Sequence, residues 1–277
     1  MKKRIHNIVR FVLLAVCIGS TVLMLRQWID STNAEKTYHE AAAIARQPVA
    51  EKPAEPERQR DLAVPDPERP DTFWVPVPVE GDPVMEEMAG INLAALREEN
   101  PDVKLWIRIP GTVVDYPVLQ GQDNDFYLNH TWKKEPNSLG SIFLEYLNSP
   151  DLRDYNTIIY GHNMKNGDMF GALEGYMLEG FWKEHPYVYI LSDTGVYRYE
   201  IFSFWQPEVD SLTYGLNPKR KDTKEQFLAL ALEGAWYDTG IKPPVTDRIL
   251  TLSTCSGGGY SHRFVVQARL PMMEVMR

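Results

Sequence analysis

Three side chains in this sequence have the chemistry of a thiol acyl-transfer site: Cys255, His162 and Arg263. A cysteine attacks as a thiolate, so a neighbouring group must lower its pKa or take its proton. Histidine can accept that proton and later protonate a leaving amine. Arginine stays cationic and can stabilise the oxyanion of a tetrahedral intermediate. The three residues are far apart in the sequence, so only the fold can bring them together.

Each of these residues lies at the edge of a strand-like run. Residues 251–255 end on Cys255, a second run begins at Arg263, and His162 closely follows the apolar residues 157–159. Ser253 alternates with Cys255, so the two-residue period of a strand predicts that they share a face. We expect the three residues to meet at one groove, beside a short loop that contains three consecutive glycines.

The residue types alone leave other interpretations open. A lone cysteine is more often structural than catalytic, and a lone histidine in a turn is usually only a turn residue. His262 borders Arg263 and is the main alternative for the base. The second cysteine, Cys17, lies in an apolar segment and cannot readily pair with Cys255. The sequence has no H-E-x-x-H or paired-cysteine pattern, so we expect no metal site.

The N-terminus differs in composition from the rest of the 277-residue chain. Basic residues at 2–4 precede an apolar stretch, 11–25, which extends to 8–29 and then reaches the ~20 residues of a spanning helix. No small-x-small cleavage site closely follows the stretch, which favours an uncleaved signal anchor over a cleavable signal peptide. The positive-inside rule then keeps residues 1–8 in the cytoplasm and places the rest outside. The net charge of −9 argues against nucleic-acid binding.

The composition divides the chain into three parts. Residues 1–30 are predicted as the membrane anchor. Residues 31–83 are rich in Pro, Glu and Ala and are predicted as an extracellular stalk, helical over 34–47 and extended over 48–83. Residues 84–277 are predicted to form the catalytic domain.

Within that domain, eight short strand-like runs separated by turn residues indicate a closed barrel or a sandwich. The runs are 105–109, 113–119, 141–146, 157–160, 187–191, 196–205, 248–254 and 263–270. Helical spacing predicts helices over 85–100 and 223–237, the latter capped by Thr223, and a short helix over 169–177.

Residues 85–270 resemble a class B sortase. The matching segments are spread over the whole domain and occur in the order of the family. They are WIRIPGT at 106–112, DYPVLQG at 115–121, DNDFYLNH at 123–130, GSIFL at 140–144, IYGHNM at 159–164, MFG at 169–171, TLSTC at 251–255 and RFVV at 263–266.

The resemblance implies a mainly β fold: an eight-stranded sortase barrel with an N-terminal helix and a helix before the penultimate strand. It implies that Cys255 is the nucleophile, His162 the acid and base, and Arg263 the oxyanion stabiliser. Substrate-binding positions carried over in the same way are Asn124, Leu128, Tyr160 and Ser253. Core packing is an alternative role for Leu128 and Tyr160, and a turn role is an alternative for Asn124. No metal or organic cofactor is implied, calcium included.

The expected function is that of a membrane-anchored cysteine transpeptidase. It would cleave a sorting motif after Thr, near the C-terminus of an exported protein, and transfer the acyl group to an amine of a cell-wall peptide or of its lipid-linked precursor. The resemblance suggests a pentapeptide led by Asn-Pro or by Ser/Pro-Pro, and a single-pass protein facing outward from a Gram-positive type of envelope. Two alternatives are a cysteine peptidase that passes the acyl group to water and a non-catalytic tethered domain.

Overall fold

The computed structural model describes residues 2–48, 63–65, 69, 71–255 and 262–276. The described strands, in chain order, are β1 (Val64–Pro65), β2 (Thr72–Pro76), β3 (Val103–Arg108), β4 (Asp115–Leu119), β5 (Phe143–Leu144), β6 (Asn156–Gly161), β7 (Tyr187–Ser192), β8 (Gly195–Trp205), β9 (Arg248–Cys255), β10 (Arg263–Leu270) and β11 (Met272–Met276).

Eight of these strands close into a barrel in the order β10-β8-β7-β3-β4-β5-β6-β9. Most neighbours are antiparallel, but β5 runs parallel to β4 and β9 runs parallel to β6. Alternate residues of the strands, such as Leu105, Ile107, Leu250 and Leu252, are buried in one hydrophobic core. All eight strand-like runs are confirmed within a few residues, and the barrel rather than the sandwich is the correct architecture.

Five α-helices surround the barrel among the described residues: α1 (Lys2–Ala45), α2 (Pro83–Met88), α3 (Leu93–Glu99), α4 (Glu179–Glu184) and α5 (Lys221–Gly234). Helix α5 precedes β9, as predicted, and packs Phe227, Leu228 and Ala231 into a second apolar cluster with Ile249 of β9. It begins two residues before the predicted cap Thr223, with Arg220 at the N-cap position. The short helix predicted over 169–177 is a 3₁₀ helix over Gly171–Met177.

The single helix predicted over residues 85–100 is wrong, because two helices occupy this segment. Asp82 caps α2 by accepting hydrogen bonds from two backbone amides, and Asn92 caps α3 through the amide of Ala95. The chain between them turns at Gly90. Local capping therefore outweighs the continuous apolar spacing that predicted one helix.

Two features lie where the sequence predicted a stalk. Helix α1 continues to Ala45, and its last three turns pack on the barrel through Ala34, Tyr38 and Ala41. Strands β1 and β2 join β11 in a three-stranded sheet, which the sequence analysis did not predict. The boundaries of the three predicted parts of the chain stay a prediction.

The first part of α1 is long and apolar enough to cross a membrane. None of its most apolar window is buried against protein. A signal sequence near the N-terminus passes the same test of length and composition, so this finding fits both interpretations of the apolar segment.

Candidate active site

Strand register brings the backbones of the three predicted catalytic residues together. Strand β9 lies between β6 and β10. On one side Gly161 pairs with Thr254, so His162 follows at the level of Cys255. On the other side Arg263 pairs directly with Cys255. Neighbouring strands lie about 4.8 Å apart, so residues on the same level are close neighbours.

The glycine-rich loop at 256–261 and the side chain of Cys255 lie outside the described part of the structure. The placement of Cys255 therefore rests on its backbone, which ends β9.

A cavity of about 510 Å³ lies beside these strand ends. Its size is in the usual range for a ligand site. It brings together six residues that the sequence singled out: Asn124, Leu128, Tyr160, His162, Ser253 and Arg263. The remaining lining residues are Phe143, Gly161, Val209, Tyr214 and Thr254. Most of this lining is apolar, with a few convergent polar groups, as is typical of a ligand-binding site.

The imidazole of His162 is held by the wall of the cavity. Its Nε2 lies 2.6 Å from the carbonyl oxygen of Leu128, which ends the 3₁₀ helix Phe126–Leu128. A carbonyl only accepts hydrogen bonds, so Nε2 carries a proton, and in the neutral ring Nδ1 is the basic nitrogen. This contact fixes both the ring and its tautomer.

The other histidines near the site have different surroundings. His130 stacks on Phe126 with 4.0 Å between the ring centroids, and its Nδ1 lies 2.8 Å from the carbonyl oxygen of Phe126. His262, the alternative base, forms a β-bridge with Glu208, and its carbonyl accepts a hydrogen bond from Nη1 of Arg263. Neither residue lines the cavity.

Two hydrogen-bonded groups connect some of the lining residues. The hydroxyl of Tyr160 donates to the carboxylate of Glu145, and the amide nitrogen of Asn124 donates to the same carboxylate. The hydroxyls of Tyr214 and Ser253 are hydrogen-bonded at 3.0 Å. Burial, followed by the neighbouring Glu145 carboxylate, raises the pKa of Tyr160, so its hydroxyl stays protonated.

Sequence reasoning missed Glu145 and Tyr214. Glu145 lay inside the predicted strand 141–146, where its only signal was an acidic residue at the end of an apolar run. Tyr214 comes from the connection between β8 and α5, in the short 3₁₀ helix Leu212–Tyr214. No local pattern reveals that this connection folds back over β9.

Comparison with protein families matches residues 107–271 to the Sortase domain family. Among curated proteins, the chain is 38% identical over 182 residues to Sortase B of Listeria monocytogenes, covering 64% of this chain and 73% of that protein. It is 32% identical over 179 residues to Sortase B of Staphylococcus aureus, with the same coverage.

Solved structures give the same result. The crystal structure of sortase B from Bacillus anthracis in complex with AAEK1 has a TM-score of 0.68 and 27% identity, covering 90% of this chain and all of that one. The Staphylococcus aureus sortase B–substrate complex has a TM-score of 0.61 and 31% identity, covering 66% and 85%. The cavity at the end of β9 thus belongs to a fold for which a substrate complex of a relative is known.

Proposed function

Because this chain belongs to the sortase family, in its class B branch, and is therefore a sortase transpeptidase, we propose that it cleaves a C-terminal sorting motif after Thr and transfers the acyl group to a cell-wall amine. Cys255 is the nucleophile, His162 the general acid and base, and Arg263 the oxyanion stabiliser. The observation that carries this assignment is the strand register, in which Cys255 has Arg263 as its direct partner and His162 at its level on the opposite side.

In the first half-reaction the thiolate of Cys255 attacks the Thr carbonyl and forms a tetrahedral intermediate. The guanidinium of Arg263 stabilises its oxyanion. The C–N bond then breaks, His162 gives its proton to the departing amine, and a thioester remains. In the second half-reaction the acceptor amine attacks the thioester, His162 takes its proton, and the C–S bond breaks. The new amide leaves and the thiolate is restored.

The direct test is product analysis with the full chain in detergent and a library of pentapeptides. Hydroxylamine and triglycine serve as acceptor amines, and mass spectrometry identifies the products. We expect hydroxamate and triglycine adducts, which Cys255→Ala abolishes. His162→Ala lowers kcat/KM by about 10²–10⁴, and Arg263→Ala lowers it by about 10²–10³, with partial recovery in Arg263→Lys.

Two results would contradict parts of the proposal. Release of free acid at the same rate with and without amine identifies a peptidase that passes the acyl group to water. Full activity in Cys255→Ala excludes the thiol mechanism.

The exposed apolar part of α1 supports a further part of the proposal, a single-pass anchor with the catalytic domain on the outer face. Basic residues at 2–4 precede the apolar stretch, which favours a cytoplasmic N-terminus. Proteinase K added to intact protoplasts should then degrade the domain. A domain that is protected until the membrane is lysed would contradict this orientation, and N-terminal sequencing of the membrane form would detect a cleaved signal peptide.

A further inference from the structure

A buried carboxylate lies directly behind the lining of the catalytic cavity. Glu145 follows β5, and only 7% of it is exposed. Its backbone is fixed on both sides, since its amide donates to the carbonyl of Ile158 and its own carbonyl accepts from the side chain of Gln120. The side chain therefore leaves a rigid turn and reaches two residues that line the cavity.

One oxygen of this carboxylate accepts hydrogen bonds from both of them. Oε2 lies 2.6 Å from Nδ2 of Asn124 and 2.9 Å from the hydroxyl oxygen of Tyr160. The second oxygen, Oε1, accepts at 3.3 Å from the backbone amide of Leu147. Hydrogen bonds to a charged acceptor are stronger than those between neutral groups, so both side chains are held firmly.

The two ends of the Asn124 side chain have partners that fix its orientation. Its Oδ1 accepts from the backbone amide of Tyr146 at 3.0 Å, whereas its Nδ2 donates to Glu145. A backbone amide can only donate and a carboxylate can only accept, so the flipped amide would lose both bonds. Asn124 lines the cavity, and its second N–H is its remaining donor.

The hydroxyl of Tyr160 is fixed as an acceptor, whereas the amide of Asn124 keeps a donor. Its only hydroxyl proton is given to Glu145, so toward the cavity the oxygen can act only as an acceptor. Asn124 and Tyr160 both contact the same carboxylate oxygen, so the donor and the acceptor lie close together on one wall. A primary carboxamide carries the complementary pair, a C=O and an N–H, on one edge. In an extended peptide the N–H and C=O of one residue also point to the same side, whereas those of one trans peptide bond point apart.

Resting on the proposed peptide-transfer function, we propose that Glu145 is a positioning residue of the peptide groove. It orients Asn124 as a donor and Tyr160 as an acceptor, and this pair binds either one side-chain carboxamide of the sorting peptide or the N–H and C=O of one residue in its extended backbone. Glu145 itself does not contact the substrate. Its removal should weaken peptide binding and leave the chemistry of Cys255 unchanged.

The test compares Glu145→Ala with Glu145→Gln in the full chain in detergent. A glutamine can place its single carbonyl oxygen where Oε2 lies and keep both hydrogen bonds. We expect Glu145→Ala to raise KM about 10-fold, as for one or two lost hydrogen bonds to a charged group, with kcat and the rate of Cys255 alkylation by iodoacetamide unchanged. Glu145→Gln should stay within about threefold of the parent.

A variant cycle tests whether Glu145 acts through its two partners. Asn124→Ala with Tyr160→Phe removes both of them, so adding Glu145→Ala to that pair should cause no further rise in KM. A matched peptide series then identifies the recognised amide: backbone N-methylation at each position and replacement of each side-chain carboxamide by a methyl ester. The modification that weakens binding to the parent about 10-fold should have no effect in Glu145→Ala.

Each outcome is decisive for the inference. Equal losses in Glu145→Gln and Glu145→Ala, a fall in kcat or in alkylation rate, or additive losses in the cycle would overturn it. An unchanged KM in Glu145→Ala, with a peptide that the parent cleaves, would overturn it while leaving the transpeptidase function intact. If the parent cleaves no peptide, and Cys255→Ala binds none by fluorescence anisotropy, the proposed function fails and the inference fails with it.

Discussion

Helix α1 has two parts with opposite surfaces, although it is one continuous helix. In the first part, apolar side chains such as Phe11, Leu14 and Val22 are exposed in every direction. In the second part, buried residues recur on one stripe: Ala34, Thr37, Tyr38, Ala41 and Ala45. A helix that is apolar all round fits a lipid environment, whereas a stripe of helical period fits packing on protein. The comparison indicates that the second part packs on protein, whereas the first part presents an apolar surface that is suited to lipid.

The second part of α1, residues 34–45, contacts helix α3, strand β4 and the loop at residues 126–141. The indole of Trp132 donates to the carbonyl of Thr37. The hydroxyl of Tyr38 lies 2.9 Å from the carbonyl oxygen of Gly140 and 3.0 Å from the hydroxyl oxygen of Ser141, and it donates its one proton to one of them. The same loop contains Leu128, whose carbonyl holds the imidazole of His162. The helix therefore supports the wall of the catalytic cavity as well as the barrel.

The largest effect should come from placing charges in the first part of α1. Ile18 and Val22 are exposed and lie near its centre. An arginine at the middle of a spanning helix costs about 3 kcal/mol, so Ile18→Arg with Val22→Arg should release much of the chain from membranes during carbonate extraction. The urea midpoint of the catalytic domain should stay unchanged. A shift in that midpoint would contradict the conclusion that only the second part of α1 packs on the domain.

The reciprocal substitution is Ala41→Asp in the second part, where the side chain is fully buried. A buried charge without a partner costs about 4 kcal/mol. We expect a clearly lower urea midpoint, monitored by tryptophan fluorescence because Trp132 lies at this interface. Membrane association should be unaffected. Equal stability of the variant and the parent would show that the helix does not dock on the domain.

The apolar part of α1 and the barrel strands show which features can be predicted from the sequence. The apolar span and the eight barrel strands were predicted because their signals are local: a long apolar run and short apolar runs between turn residues. His162, Cys255 and Arg263 were recognisable because each lies at the edge of such a run and matches a family motif. The structure then brings their backbones to one level of three neighbouring strands.

The missed features depend on contacts between distant residues. The pairing of β2 with β11 joins segments that are far apart in the sequence. Glu145 is important because Asn124 and Tyr160 reach it from two other elements, and Tyr214 because it reaches Ser253. No local spacing encodes such contacts. The docked part of α1 did have a helical pattern, but its alanines do not by themselves identify the surface that they cover.

We expect an effect of intermediate size on stability and on KM when Gly140 is substituted. Gly140 lies in the loop at 126–141, which passes between α1 and the cavity. Its φ is +59°, and a Cβ there would lie 2.6 Å from the carbonyl oxygen of Leu128. Gly140→Ala should therefore lower the free energy of unfolding by about 2–3 kcal/mol and raise KM by displacing Leu128. Gly167→Ala is the matched control, because φ there is also positive but the added methyl meets no atom within 4 Å. If both variants lost the same amount of stability, backbone strain alone would explain the loss, and the close approach to Leu128 would not contribute.

The smallest effect is expected for Tyr38→Phe, which removes one hydroxyl and keeps the ring against Tyr116. The hydroxyl donates to one of the two acceptors beside it, so its loss should lower the free energy of unfolding by about 1 kcal/mol. Because those acceptors belong to the loop that holds His162 through Leu128, KM should rise about twofold, a much smaller change than for Gly140→Ala. Tyr146→Phe, at an exposed tyrosine, serves as the control. A loss of stability without any change in KM would show that the docked helix stabilises the barrel but does not affect substrate binding through the cavity wall.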